Sequence, residues 1–361
     1  MEISAPKKGT LKAIAAELGL SITTVSRALA GYSDVAEATK IRVCAAAAAA
    51  DYVPNSAGKM LVTGRSGFVG FLLPVRETAV LDPFLGEYIT GLSAGLAEQG
   101  RDLFMTTVSS SQSEATVLKH IVDAGRADAM VLTRIAEEDE RVDFLVKRGF
   151  PFVAHGRTLD HSDYSWIDTD GKQAFSDLFQ WLYQELGHKK IGLLSITESM
   201  TFRRYREDGL IGAIKDCGDP DVTLTTRHVP RFDTASWGEA IRSMLESENR
   251  PSAIVALTDE LALSVLEHAA SLGVSVPESL TVIGYDNIPA AHYSNPGLTT
   301  FDQSIRSTAQ QTAGLILDTL DTPDQIQQKL VSPIFIKRGS HGPAPKHVPN
   351  SLKTDSKTKG Y

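Results

Sequence analysis

The sequence predicts a small all-α head carrying a helix-turn-helix, joined to an α/β body of two doubly wound parallel-sheet subdomains. Three observations predict it. Two short amphipathic helices separated by a glycine open the chain, short apolar runs alternate with helical stretches from Gly67 onward, and charge divides unevenly between the two parts. At 361 residues the chain exceeds one ordinary core, and 42% hydrophobic with 22% charged residues is the composition of a globular protein. The net charge is −8, yet up to Arg65 eight basic residues face five acidic ones, net +3, and the remainder holds 28 against 39, net −11. A basic head on an acidic body suits a protein in which one small domain meets phosphate.

The head is read element by element. Thr10 can cap LKAIAAEL, whose Ile14 and Leu18 share a face, and Gly19 stops it. Ser21 can cap ITTVSRAL, with Val25 and Leu29 turned inward. A third helix runs through TKIRVCAAAAAADY, whose alanine run reads as a packed helix of small side chains, and Pro54 ends it. In a helix-turn-helix the second helix lies in the major groove, its first residues at the base edges. Here those are Ile22, Thr23 and Arg27, with Ser21, Thr24 and Ser26 available for phosphate. Arg27 can read a guanine in a bidentate contact, and Ile22 offers apolar contact to a thymine methyl. Spacing alone also admits exposed polar residues on a plain helical bundle.

The body begins with FVGFLLP and continues through DLFMTTV, ADAMVLTRI, PFVAHG, KKIGLLSI, SAIVALT and LTVIGYD as strands, with helical stretches between them. Such sheets leave a ligand crevice outside their carboxyl ends. From His341 the tail is polar and rich in proline and lysine, and is expected to be disordered. No stretch is apolar enough to cross a bilayer and no apolar leader follows Lys7 and Lys8, so a cytoplasmic location and no membrane partner are expected. Cys44 and Cys217 lack metal-ligand spacing and read as buried or idle thiols. No cofactor is expected, because neither GxGxxG nor GxxxxGK[ST] follows a strand.

GLSAG at 91–95 formally matches a nucleophile elbow. The elbow needs a strand ending at the serine, whereas the flanking sequence continues one amphipathic helix. Ser93 is therefore expected mid-helix between two packing glycines, and no enzyme activity is expected. The alternatives to a DNA-reading protein are a sugar-binding module without a DNA role and, on GLSAG alone, a hydrolase.

TLKAIAAELGLSITTVSRALAGY, followed by DYVPN and Leu61, resembles the headpiece of the lac repressor/galactose repressor (LacI/GalR) family. The likeness continues through LGHKKIGLL, RxxG at 206–209, VIGYDN, NPGLTT and IKRGS, so it spans nearly the whole chain to residue 340. It implies a headpiece over 1–55, a hinge over 56–66, and a periplasmic-binding-protein-like body over 67–340. Within the body it places an N-subdomain at about 67–166 plus 297–328, a C-subdomain at about 167–296 plus 329–340, and a tail over 341–361. It further implies a homodimer reading a near-palindromic double-stranded operator and a small-molecule effector, a mono- or oligosaccharide. The expected role is a repressor of sugar uptake or catabolism genes. Thr10, Leu11, Tyr52 and Asn55 join the DNA-facing set through this resemblance. So do Gly58, Lys59 and Leu61, the last as a minor-groove wedge on a hinge helix that forms on DNA. The sequence departs from the family where Gly58-Lys59 replaces the usual Ala-Arg, and a glycine costs a helix about 1 kcal/mol.

For the effector, the resemblance points to Phe84, Asp170, Arg206, the aromatic wall Phe232 and the carboxylate Asp286, with Thr258 where asparagine is frequent. Phe202 and Arg203 sit in a loop that either tunes specificity or is an exposed turn. His155 and Arg157 close a strand and either reach the cleft or serve structure.

Overall fold

The computed structural model describes residues 9–52, 64–74, 83–109, 111–160 and 163–346 and divides into two units, one ending at Gly67 and one beginning at Phe68. The first unit holds α1 (Leu11–Leu18), α2 (Ile22–Leu29) and α3 (Glu37–Ala49). Thr10 Oγ1 accepts the Ala13 N–H at 3.2 Å, and Gly19 ends α1 in the left-handed conformation with φ 64°. Ser21 caps α2 by accepting the Thr24 N–H at 3.0 Å. Ile14, Val25 and Val43 are fully buried at the centre, with Ala15, Ala28, Ala46 and Ala47 around them, so the alanine run lets α3 lie close to its neighbours. Cys44 follows Val43 by one helical step and is an exposed free thiol, so of the two readings, buried or idle, the buried one does not hold there; Cys217 is partly buried. Pro54, Asn55, Gly58, Lys59 and Leu61 lie outside the described residues.

The second unit contains a six-stranded parallel sheet built from β1 (Phe68–Pro74), β2 (Asp102–Val108), β3 (Ala129–Leu132), β4 (Phe152–His155), β5 (Ser165–Thr169) and β11 (Gln328–Val331). Their order is β11-β5-β4-β3-β1-β2. A four-stranded parallel sheet holds β6 (Lys190–Ile196), β7 (Thr223–Val229), β8 (Ala253–Ala256) and β9 (Thr281–Ile283) in the order β7-β6-β8-β9. Strands β3, β4, β5 and β8 are buried along their whole length, as parallel strands covered on both faces must be. That is why β3 and β8 read as unbroken apolar runs. Between the sheets run β10 (Thr300–Asp302) and β12 (Ile334–Ile336), an antiparallel pair.

Helix α4 (Pro83–Ala97) packs on α12 (Ile305–Asp321) through Gly91 and Gly95. A Cβ on Gly91 would stand 2.2 Å from the Arg306 carbonyl oxygen, and one on Gly95 would stand 2.8 Å from the Ala313 Cβ. GLSAG is thus a close helix contact, with Ser93 inside α4. In the second subdomain, α7 (Gly171–Gln180) lies against α8 (Thr201–Cys217), where a Cβ on Gly209 would meet the Lys172 carbonyl oxygen at 2.1 Å. Helices α9 (Thr234–Leu245) and α10 (Asp259–Ser271) also cover this sheet, and the short α11 (Pro289–Tyr293) follows it.

The subdomain borders differ from expectation by a few residues. Strands β5 and β11 carry the first sheet on to Thr169 and Val331, past the expected breaks after 166 and 328. Residues 297–302 belong with the second subdomain, because Leu298 and Phe301 are buried in its core and Gly284 N–H donates to the Thr299 carbonyl at 2.9 Å. Residues 341–346, expected as disordered tail, pack on the body: His188 Nε2 meets the Gly342 carbonyl at 3.0 Å and Ala344 N–H donates to Leu186 at 2.7 Å. The remainder, 347–361, lies outside the described residues. Among the described residues, no helix is long and apolar enough to cross a membrane, and no cluster of metal-ligating side chains occurs.

Candidate nucleic-acid interface and ligand cleft

On the first unit, capping fixes how α2 presents its start. Ile22 is 50% exposed, an outward apolar side chain with no core to fill, and Thr23 is exposed beside it. Thr24, Ser26 and Arg27 are half-buried on the next turn; Thr10 is exposed, and Leu11 and Tyr52 are half-buried. The Ser21 and Thr24 hydroxyls, expected to serve phosphate, bond each other at 2.8 Å while Ser21 caps the helix. Arg27 is also engaged: its Nη2 lies 2.5 Å from Asp34 Oδ2 and its guanidinium carbon 4.7 Å from the Tyr32 ring centroid.

On the second unit, a cleft with an empty volume of about 590 Å³, counted to its mouth, opens between the two subdomains at the carboxyl ends of their strands. One wall comes from the first sheet. Phe84, at the start of α4, and His155, ending β4, stand with ring centroids 5.4 Å apart over Tyr88. Burial pushes the His155 imidazole down to about 4, so the ring is neutral at pH 7. Arg157 forms an ion pair with Asp168, Nε to Oδ2 3.2 Å, and its guanidinium lies between the rings of Trp166 (4.9 Å) and Tyr205 (4.4 Å). Burial raises the Asp168 carboxyl to about 6, opposed by Arg157, by the Thr169 N–H and by Arg206.

The facing wall comes from α8 and the loops after β7, β8 and β9. Arg206 is 4% exposed; its guanidinium lies 3.6 Å from the Tyr285 ring centroid and 4.8 Å from that of Phe202, and Nη1 donates to the Leu257 carbonyl at 2.5 Å. Asp286 takes φ 122°, a left-handed backbone for a non-glycine residue, and accepts from Gln303 Nε2 at 2.5 Å. Gln303 in turn accepts from Thr169 Oγ1 at 2.7 Å, so one hydrogen-bonded chain links the two subdomains behind the cleft. Thr258 lines the cleft and caps α10 through the Leu261 N–H at 3.4 Å. At one side the walls are joined directly, with Thr201 N–H donating to Ile135, Glu137 N–H to Ser199, and Arg203 paired with Glu137 at 3.2 Å.

The structure therefore brings Phe84, Phe202, Arg206, Thr258 and Asp286 to one cavity, and it does not bring Asp170 or Phe232 there. Asp170 falls beyond the end of β5 and caps α7, accepting the Gln173 N–H at 3.0 Å; Asp168, two residues earlier on the strand, is the carboxylate in the cleft. Phe232 lines a neighbouring groove and lies 5.0 Å from the guanidinium of Arg231, which takes the cleft position. His155 and Arg157, left open between cleft and structure, both line the cavity. Arg134, Asp168, Arg231 and Gln303 were not singled out in the sequence. Only Asp168, inside the polar end of SWIDTD, and Arg231, next to Phe232, carried a local signal.

A sequence profile of bacterial regulatory proteins, lacI family, matches residues 10–55, and one for the periplasmic binding protein-like domain matches residues 182–341. Over 345 residues the chain is 31% identical to the HTH-type transcriptional regulator AglR of Rhizobium meliloti (strain 1021), spanning 94% of this chain and 96% of AglR. The chain belongs to the lacI family. Another lacI-type relative, the HTH-type transcriptional repressor CytR of Escherichia coli (strain K12), is 27% identical over 320 residues, 86% of this chain and 89% of CytR. The fold matches that of the lac repressor dimer bound to operator and the anti-inducer ONPF, with TM-score 0.77 at 21% identity over 92% of this chain and 99% of the other. It also matches a CelR-cellobiose complex, with TM-score 0.67 at 24% identity and the same coverage. This lacI-family chain is a ligand-responsive, DNA-binding transcriptional regulator, and its relatives are regulators rather than enzymes.

Proposed function

We propose that the chain binds a mono- or oligosaccharide in the cleft between its subdomains and that occupancy changes its affinity for a near-palindromic operator read by a homodimer. The genes controlled are those of sugar uptake or catabolism, repressed in the cytoplasm where the DNA is. The observation that carries the sugar reading is the meeting of aromatic faces and charged hydrogen-bonding groups in one space: Phe84 and Phe202 with Asp168, Arg206 and Asp286. Sugars offer C–H faces to aromatic rings and vicinal hydroxyls to carboxylates and guanidinium groups, whose charge-assisted bonds are the strong ones. Structures of similar fold were solved with cellobiose and with ribose, which supports this class.

For DNA, the reading assigns Ile22, Thr23 and Arg27 to base edges and Thr10, Leu11, Ser21, Thr24, Ser26 and Tyr52 to flanking contacts. Asn55, Gly58, Lys59 and Leu61 complete the set from outside the described residues. Switching follows from differential affinity: a sugar held by both walls favours one inter-subdomain geometry, and the operator favours one as well. A thermal-shift screen over a sugar panel tests the proposal, because a specific ligand raises stability by mass action. One sugar or a narrow set should raise the melting temperature, and Arg206→Ala should abolish that rise. A panel without effect, or a shift untouched by Arg206→Ala and Asp286→Ala, would refute the cleft assignment.

A further inference from the structure

We propose that Asp34, which lies outside the recognition helix, is a positioning residue that sets operator specificity by holding the Arg27 guanidinium in the orientation that reads a guanine. The inference rests on the reading of α2 as the base-reading helix. Arg27, expected among the first residues of the helix, stands instead in the last turn of α2, and the chain reverses directly after it. Ala30 closes the helix, Gly31 takes φ 76°, and the Tyr32 N–H returns to the Arg27 carbonyl at 3.1 Å. This reversal brings Tyr32 and Asp34 back over the side chain that precedes them. The Asp34 carboxylate then meets Arg27 Nη2 at 2.5 Å, and the Tyr32 ring covers the guanidinium face at 4.7 Å.

Two restraints act on one planar group: the ring 4.7 Å from the guanidinium carbon and the carboxylate 2.5 Å from Nη2 together narrow its range of orientation. Arg27 remains 43% exposed; its Nε is buried and Nη2 is shared with Asp34, while Nη1 makes no hydrogen bond among the described residues, so a base would be met by Nη1 together with the second hydrogen of Nη2. A bidentate contact with guanine O6 and N7 needs a fixed fork, and an arginine left to wander loses more freedom on binding. Asp34 itself is 57% exposed and makes no other side-chain hydrogen bond or ion pair among the described residues; α3 begins three residues later without a side-chain cap. Among the described residues Arg27 is the partner of its carboxylate. A negative charge on a DNA-facing surface weakens binding to every sequence, because it repels phosphate. Asp34 therefore lowers non-specific affinity while favouring the one geometry that reads a base, and both effects increase discrimination.

The opposite arrangement, in which Asp34 merely occupies Arg27 and must be displaced by DNA, predicts the opposite sign. Fluorescence anisotropy with the full chain separates the two. Three kinds of duplex are used: one from upstream of its own gene that it binds, a series in which each guanine of a half-site is replaced in turn, and an unrelated duplex. Arg27→Ala identifies the guanine whose replacement no longer matters. Asp34→Ala should reduce discrimination at that guanine about tenfold, within the range of one base contact. It should leave binding to the unrelated duplex unchanged or tighter. Asp34→Asn, which keeps the size and one acceptor, should give a smaller loss, and Tyr32→Phe, which keeps the ring, should give none. Hydrogen exchange of α1–α3 establishes that each variant's head is folded. Unchanged discrimination in Asp34→Ala, or operator binding strengthened more than binding to the unrelated duplex, overturns the proposal. If Arg27→Ala leaves every guanine replacement as costly as before, the assignment of α2 fails, and this inference with it.

Discussion

Replacing Asp168 with asparagine removes one ionisation from the cleft, and the pH dependence of stability should report it. Asp168 is 8% exposed, and burial lifts its carboxyl from 3.8 to about 6 despite Arg157 and Arg206. The folded protein then holds this proton more tightly than the unfolded chain does. The ionised carboxylate therefore weighs against folding above about pH 6, and the penalty fades as pH falls toward 3.8. At roughly 1.4 kcal/mol per tenfold change in proton affinity the full penalty is about 3 kcal/mol, of which about 2 kcal/mol is relieved between about pH 7.5 and 4.5. Asp259, buried and raised to about 6, acts in the same direction. His155 and His188 act against both: burial lowers their folded-state affinity for protons, so acidification below the ordinary 6.5 costs stability. These contributions oppose one another in the wild-type profile, and the difference between wild type and Asp168→Asn isolates one group. Urea unfolding at the two pH values, fitted with a shared slope, measures it. The asparagine variant should lose about 2 kcal/mol relative to wild type on going from about pH 7.5 to 4.5. Parallel profiles would refute the reasoning.

The packing, the caps and the cleft each give a further outcome. Gly91→Ala places a Cβ 2.2 Å from the Arg306 carbonyl oxygen and should destabilise the body by about 1–3 kcal/mol in thermal unfolding, whereas Ser93→Ala should stay within about 0.5 kcal/mol. Ser21→Ala removes the cap on the Thr24 N–H, worth about 1 kcal/mol, and should speed hydrogen exchange of the α2 amides about fivefold. With a sugar identified by thermal shift, Arg206→Met should raise its Kd by roughly 10- to 150-fold in calorimetry, as for the loss of a charged hydrogen bond. Phe232→Leu, outside the cavity, should leave that Kd near wild type.

Short-range signals were the most legible part of the chain. Thr10, Gly19 and Ser21 act through hydrogen bonds spanning three or four residues, so residue type and spacing suffice to place the head's first two helices. Strands such as β3 and β8 are legible because burial on both faces leaves an unbroken apolar run. The crossover elements are not. β10, β11 and β12 are three or four residues long, β10 and β11 mix polar with apolar side chains, and all three owe their existence to pairing with partners far along the chain.

The same distance argument governs the cleft. Arg206 and Asp286 lie in motifs dense enough to be recognised. The choice between Asp168 and Asp170 depends on where β5 stops, and the choice between Arg231 and Phe232 depends on how the loop after β7 turns. Neither is written in the local pattern. The ordered start of the tail escapes the sequence for a related reason: the His188 imidazole holds the Gly342 carbonyl and a backbone bond ties Ala344 to Leu186, which composition does not reveal.

The central claim is that one protein couples operator and sugar, and linkage makes it measurable without knowing the direction of control. The operator Kd is determined with and without saturating sugar, and the sugar Kd with and without saturating operator. The account predicts that both ratios differ from one and are equal. An operator affinity indifferent to every sugar that binds, or two ratios that disagree, would contradict it.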